Sequence, residues 1–190
     1  MTGVSSRDIA RAAVRARLAE VAFGMFRSAG FDNVTVNDLA AAAGVSRSTF
    51  LRHFGTKEEA VLGAFDLQFE QIAALLRERP ASEDDWTALR RALDTMIAPH
   101  RTDPENALAT ARLVEETPAL CAHQLHKQNT WRPALATALA ARSGQSVTMA
   151  HEVRAGAALA CLNIALGHWT RSNGERDLDE LLNEGFHALM

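Results

Sequence analysis

Tyrosine is missing from this chain altogether, and its 190 residues include only three tryptophans and five prolines. No long run is rich in valine, isoleucine and threonine, while alanine is abundant, a bias that favours helix over sheet. Cysteine is nearly absent too. Cys121 and Cys161 lie far apart with no CxxC or Cys/His spacing, so neither a disulfide framework nor a thiolate metal site is signalled, and two reduced core thiols are expected. No apolar run approaches the ~20 residues that crossing a bilayer requires. The N-terminus, MTGVSSRDIARAAVRARLAE, alternates charge and alanine without the apolar centre of a secretory signal. A cytoplasmic protein with no membrane partner is the expectation.

Hydrophobic residues make up 47% of the chain, enough for a sizeable core in one large domain or in a small and a medium one. The net charge of −3 is unevenly spread. Residues 1–57 carry eight basic and four acidic side chains, a net +4, and the remainder carries a net −7. A basic head on an acidic body suits a polyanion that touches the head alone.

Periodicity predicts an all-α chain of about nine helices and no strand. The first runs from about Arg7 to Ala29, with Val14, Leu18, Val21, Ala22, Met25 and Phe26 as one apolar stripe and Gly30 as a left-handed stop. Thr35 caps a second helix, Val36 to Ala43, with Asp38 in a variant capping box, and Gly44 ends it. Ser46 caps a third, Arg47 to Phe54, and Thr56 with Glu59 opens a fourth that ends before Pro80. PASEDD is a polar connector. Later helices are expected over Trp86 to Ala98, stopped by Pro99; Pro104 to Thr117; Ala119 to Ala141, bent or split by Pro133; Ser146 to Arg171; and Asp177 to Leu189. The expected domains are 1–56 and 57–190.

Two short helices joined by a glycine turn form a helix-turn-helix pattern over roughly residues 35–54. Ala40 and Ala43 are small where the helices cross, and Val45 fills the angle. Phe50 and Phe54 anchor one face of the third helix. The opposite face projects Arg47, Ser48, Leu51 and Arg52, and DNA supplies a reason for it: arginine reads guanine edges or clamps phosphate, and hydroxyls bond phosphate oxygens.

The stretch FDNVTVNDLAAAAGVSRSTFLRHFGTKEEAV resembles the DNA-binding motif of the TetR family of bacterial repressors, over about residues 8–65. The resemblance implies nine or so helices, a homodimer, and release of double-stranded operator DNA when a small molecule binds the C-terminal domain. Carried onto this chain, it places Arg47, Ser48 and Thr49 at base edges and phosphate. It places Arg52, His53 and Lys57 on the backbone, and Thr35 and Asn37 at the neighbouring phosphate or groove edge. Leu51 departs from the usual Tyr or Phe; it keeps an apolar contact and loses a hydroxyl, which bears on the operator sequence. Plainer readings stand beside these: a surface role for His53, a solvated face for Arg47 and Arg52, a local cap for Thr49. Arg7, Arg11, Arg15 and Arg17 are either a solvated face or reach flanking phosphate.

The resemblance also implies an effector pocket among helices four to eight. It is expected to be mostly apolar, to take an unidentified hydrophobic small molecule, and to draw on Ile72, Leu76, Trp86, Arg112, His123, His126, Trp131 and Asn163. Asn163 interrupts ALACLNIALGHWT and needs a partner, in a ligand, a twin helix or another polar group. His123 and His126 stand three apart with no acid at the matching step, so no metal is expected, nor any cofactor. No nucleophile elbow, glycine-rich phosphate loop or acidic cluster supports catalysis; the rival reading is a helical enzyme or interaction module whose first 57 residues mimic the motif. A dimer interface is expected from Val153, Ala157, Ala160, Cys161 and Ile164 with Leu178, Leu181, Leu182, Phe186 and Leu189. Helix four, with its two ends in head and body, is expected to link effector binding to DNA binding.

Overall fold

A computed structural model describes residues 6–189. Ten helices and no strand are present among them: α1 (Ser6–Ala29), α2 (Val36–Ala42), α3 (Arg47–Phe54), α4 (Lys57–Glu78), α5 (Asp85–Ala92), α6 (Asp94–Thr102), α7 (Pro104–Glu116), α8 (Pro118–Arg142), α9 (Met149–Arg171) and α10 (Leu178–His187). They form two compact units, 1–65 and 66–190, with the boundary inside α4. No described helix is long and apolar enough to cross a membrane.

In the first unit, Leu18, Ala22 and Phe26 of α1 are buried at four-residue steps, and Phe31, Val34, Leu39, Phe50, Phe54 and Leu62 complete the core. Val14, expected in the stripe, is exposed. Gly30 turns the chain at φ +83° while its N–H closes on the Phe26 carbonyl.

In the second unit, α9 lies between α8 and α10, and α7 packs on both α8 and α9. The helix expected over 86–98 is instead the pair α5 and α6. They meet at Leu93, whose backbone stays right-handed helical, so the break is slight. Pro99 does not stop α6, which runs on to Thr102. Pro133 does not split α8; Asn129, whose carbonyl loses a donor, is exposed, so water can replace the bond. Thr148, three positions before His151, caps α9 with Nδ1 of that histidine accepting the Thr148 N–H, so the helix starts later than Ser146.

The PASEDD connector is tied down. The Arg142 side chain is 4% exposed and donates to the carbonyls of Pro80 and Glu83, at 2.7 and 2.8 Å, and to Asp85 Oδ1 at 2.6 Å. On the far side, Arg101 grips the Asp179 carboxylate with both arms of its guanidinium, and Arg90 bonds Asp94, Asp179 and Asn183. These contacts fasten α10 to α5 and α6. α10 lies against α9 at Gly185, where a Cβ would meet the Cys161 Cβ at an ordinary contact distance of 3.4 Å. Cys161 is accordingly buried, whereas Cys121, expected in the core, is exposed beside buried Leu120; both are free thiols.

Candidate nucleic-acid interface

α2 begins at Thr35, which exchanges bonds with Asp38: the Thr35 N–H reaches Oδ2 at 2.9 Å, its hydroxyl reaches the same oxygen at 2.6 Å, and the Asp38 N–H returns to Oγ1. These bonds hold the Asp38 carboxyl below its ordinary range. Gly44 turns the chain at φ +69°, and the Val45 N–H closes on the Ala40 carbonyl at 2.9 Å. Ser46 then caps α3, accepting from the Thr49 N–H at 3.1 Å and donating to Thr49 Oγ1 at 2.9 Å.

α3 buries Phe50 and Phe54, whose rings lie 5.2 Å apart. Arg47, Ser48 and Arg52 are exposed on it, Leu51 is half-buried, and Asn37 is exposed on α2. Asp32, Val34, Thr35, Val36, Arg47, Leu51, Thr56, Lys57 and Glu58 line one open hollow beside that face. The structure therefore brings Thr35, Arg47, Leu51 and Lys57 to a single surface.

The hydroxyls of Thr35 and Thr49 are engaged in caps, and the Ser48 hydroxyl lies 2.9 Å from Ser46 Oγ. Lys57 is more firmly engaged within the head. Its ammonium donates to the carbonyls of Phe31 at 2.8 Å and Val34 at 3.3 Å and sits 4.2 Å from the centre of the Phe31 ring. It braces the α1–α2 turn with two of its three protons. His53 is half-buried, and its Nδ1 is buried with no hydrogen-bond partner. Burial pushes its pKa below the ordinary histidine range, and the guanidiniums of Arg52, Arg11 and Arg15 push the same way. A neutral His53 offers phosphate an N–H and no charge.

The sequence left Arg15 as a solvated or phosphate-reaching cation, and the structure gives it a partner inside the head. Its guanidinium donates to the His53 carbonyl and lies 4.8 Å from the centre of the Phe54 ring. No local pattern could have revealed this, since the partners are 38 positions apart.

In the second unit the eight expected effector residues differ in their exposure and in their partners. Ile72 and Leu76 are fully buried. Trp131 stacks on Phe69, centroids 4.0 Å apart and planes within 9°. Trp86 packs edge-on against Phe186 of α10. Arg112 is exposed and bonds the Asn173 side chain. His123 is half-buried and His126 exposed. Asn163 pairs with Gln128, the two amides exchanging bonds of 2.6 and 2.7 Å. Lys127, 7% exposed, and Gln68, whose buried Oε1 lacks a hydrogen-bond partner, are interior polar groups that the sequence did not flag.

The ten residues expected at a dimer interface divide in two. Leu178, Leu181, Leu182 and Phe186 are buried within the monomer because α10 folds onto α9, α5 and α6 of its own chain, and Cys161 is buried beside Gly185. Val153, Ala160, Ile164 and Leu189 remain exposed and Ala157 half-exposed, and Met149 at the start of α9 is exposed as well.

A small helical head with a cationic face on the second helix of a helix-turn-helix, followed by a separate helical unit, defines a DNA-binding regulator. The chain belongs to the TetR family: the model for bacterial regulatory proteins of the tetR family matches residues 18–62, and that of the MftR C-terminal domain matches residues 83–190. It is 33% identical over 148 residues to the transcriptional regulator TcmR of Streptomyces glaucescens, covering 75% of this chain and 65% of that protein. It is 29% identical over 177 residues to MftR of Mycobacterium tuberculosis, named as a candidate regulator of mycofactocin biosynthesis, covering 90% and 87%. The fold matches the fatty acid degradation regulator FadR of Bacillus halodurans with a TM-score of 0.61 at 15% identity, over 93% of this chain and 94% of that one.

Proposed function

We propose that this protein is a homodimeric repressor that reads its operator with α3 and is released from it by a small hydrophobic ligand bound in the second unit. The observation that carries the DNA half is the division of α3: Phe50 and Phe54 are buried, and Arg47, Ser48 and Arg52 stand in solvent. Arg47 and Arg52 supply charge for phosphate and planar forks for guanine. Asn37 and Leu51 extend the reading surface, and Thr35, Ser48, Thr49, His53 and Lys57 contribute through whatever donors their local bonds leave. One short helix touches too few bases for strong discrimination, so two are presented by a dimer, one turn of duplex or a multiple of it apart, ~34–36 Å.

The ligand half rests on the interior of the second unit. The buried Phe69–Trp131 stack makes that interior apolar and aromatic, and buried Gln68 Oε1 has no hydrogen-bond partner. Such a combination suits an apolar molecule with a polar anchor. The ligand weakens DNA binding by the ratio of its affinities for the two states and no further. A duplex selected from random sequence with the wild-type protein supplies the probe. Arg47→Ala is expected to lower affinity for it by about 1–3 kcal/mol. Hydrophobic candidates are then titrated into free protein and into the complex. A true effector binds free protein more tightly; equal affinity in both rules that molecule out, and failure of the wild type to select any duplex ends the reading.

A further inference from the structure

Gly63 lies buried within α4, where the backbone is ordinary helix and nothing in its own conformation calls for glycine. A glycine there is less favourable than alanine. What occupies the missing side chain's place is the Arg15 guanidinium: a Cβ on Gly63 would overlap Nη2 and lie 3.4 Å from Cζ, with Glu59 Oε2 3.2 Å away. From that slot Arg15 donates to the His53 carbonyl and covers the Phe54 ring. One side chain of α1 thus meets both the last turn of α3 and a bare patch of α4.

The last turn of α3 needs such a partner. An eight-residue helix is too short to hold itself, and its final carbonyls lack donors from within. Gly55 N–H returns to the Leu51 carbonyl and Thr56 N–H to that of Phe54, while the His53 carbonyl takes Arg15. A cation is well placed there, since the carbonyl end of a helix carries partial negative charge. Ser46 holds one end of α3 and Arg15 the other, and the axis between them sets where Arg47 and Arg52 point.

We propose that Arg15 is a positioning residue for DNA reading, aligning α3 without touching a base, and that Gly63 is glycine so that the guanidinium can enter. The inference rests on the reading of α3 as the recognition helix. It sets Arg15 apart from a phosphate ligand and from a plain structural support, because Gly63→Ala displaces the flexible end of Arg15, shifts Glu59 only slightly and improves helix propensity.

The test uses full-length wild type, Arg15→Met, Gly63→Ala and the double variant, with a duplex selected from random sequence by the wild type and a scrambled duplex of equal length. Each single variant is expected to lose at least about fivefold in affinity for the selected duplex, the low end of one misaligned base contact. Affinity of Gly63→Ala for the scrambled duplex stays at the wild-type level, and its melting temperature equals or exceeds the wild type's. The double variant binds no more weakly than Arg15→Met, because the arginine that the added methyl of Gly63→Ala displaces is already gone. Wild-type discrimination by Gly63→Ala overturns the proposal, as does additivity of the two losses. So does an equal loss on both duplexes in Arg15→Met with a salt slope lower by about one, the mark of a phosphate contact. If the wild type selects no duplex, the DNA-reading assignment itself falls; every other failure strikes Arg15 alone.

Discussion

Ile164→Asp separates the surface proposed for the partner from the core of the monomer. Ile164 and Val153 are each 60% exposed on α9, eleven residues or about three turns apart, with exposed Ala160 between them. Full burial of such a side chain contributes about 1.5–3 kcal/mol, so covering the exposed fraction contributes about 1–2 kcal/mol for each. A two-fold interface counts every residue twice. Two Ile164 side chains then contribute about 2–4 kcal/mol, which is about thirtyfold to a thousandfold in the dimer dissociation constant. Aspartate removes that and adds two carboxylates that must leave water. The monomer should not notice, because the side chain it loses already stands in solvent. Leu182→Ala is the opposite control: Leu182 is fully buried in its own chain, and truncation should cost about 2–5 kcal/mol of folding stability. Sedimentation velocity over a range of concentrations reads the first effect and chemical denaturation the second. The reasoning is refuted if Ile164→Asp dimerises like the wild type, if it unfolds as readily as Leu182→Ala, or if the wild type is monomeric at micromolar concentration.

Lys57→Ala should act on the head more than on phosphate: loss of the charged bonds to the Phe31 and Val34 carbonyls costs about 1–3 kcal/mol of stability, and the salt slope of DNA binding falls by less than one unit. A full unit lost at unchanged stability would instead make it a phosphate ligand. Asp179→Asn loosens α10 from α5 and α6; with Arg101 half-exposed, solvent screening limits the loss to about 1–2 kcal/mol in urea denaturation. Arg101 and Arg90 hold the Asp179 carboxyl below its ordinary range, so its contribution is present above that range and lost as pH falls through the lowered value, and the Asn variant should show a flatter acid limb. Burial likewise lowers the His100 pKa, and its ring stands edge-on to Trp169. The unfolded chain therefore binds the proton first, stability declines as pH drops below the ordinary histidine value, and His100→Phe should diminish that decline; an unchanged melting curve between neutral and mildly acid pH would refute the attribution.

The local signals in this sequence were legible because each is closed within a few residues. Thr35 with Asp38, Ser46 with Thr49 and Gly44 before Val45 each bond inside a span of five positions, so their types and spacing already define α2, α3 and the turn. Prolines were less readable. Pro99 and Pro133 both stand inside helices, since the penalty of a missing N–H depends on whether the orphaned carbonyl reaches water, and that depends on which side of the bundle it faces. The stripe of α10 is ambiguous for a related reason: its leucines say that the helix must be covered, and not by what; α5, α6 and α9 of the same chain already bury them.

The long cations carry the same lesson into the candidate site. Arginine and lysine reach far enough to pair with groups that the chain brings together only on folding, so their jobs are invisible to any short window. Lys57 answers to carbonyls 23 and 26 positions back, and Arg15 to one 38 positions on. Arg47 and Arg52 have no such ties among the hydrogen bonds and ion pairs described, and both stand in solvent on the face opposite Phe50 and Phe54. The cationic head therefore sorts into cations that build the scaffold and cations that the scaffold presents. If that division is right, charge-neutralising changes in the first group act through alignment and stability, those in the second act through contact with DNA, and the salt slope tells the two apart. Sequence reasoning could count the charges of the head; only the fold separates Arg15 and Lys57 from Arg47 and Arg52.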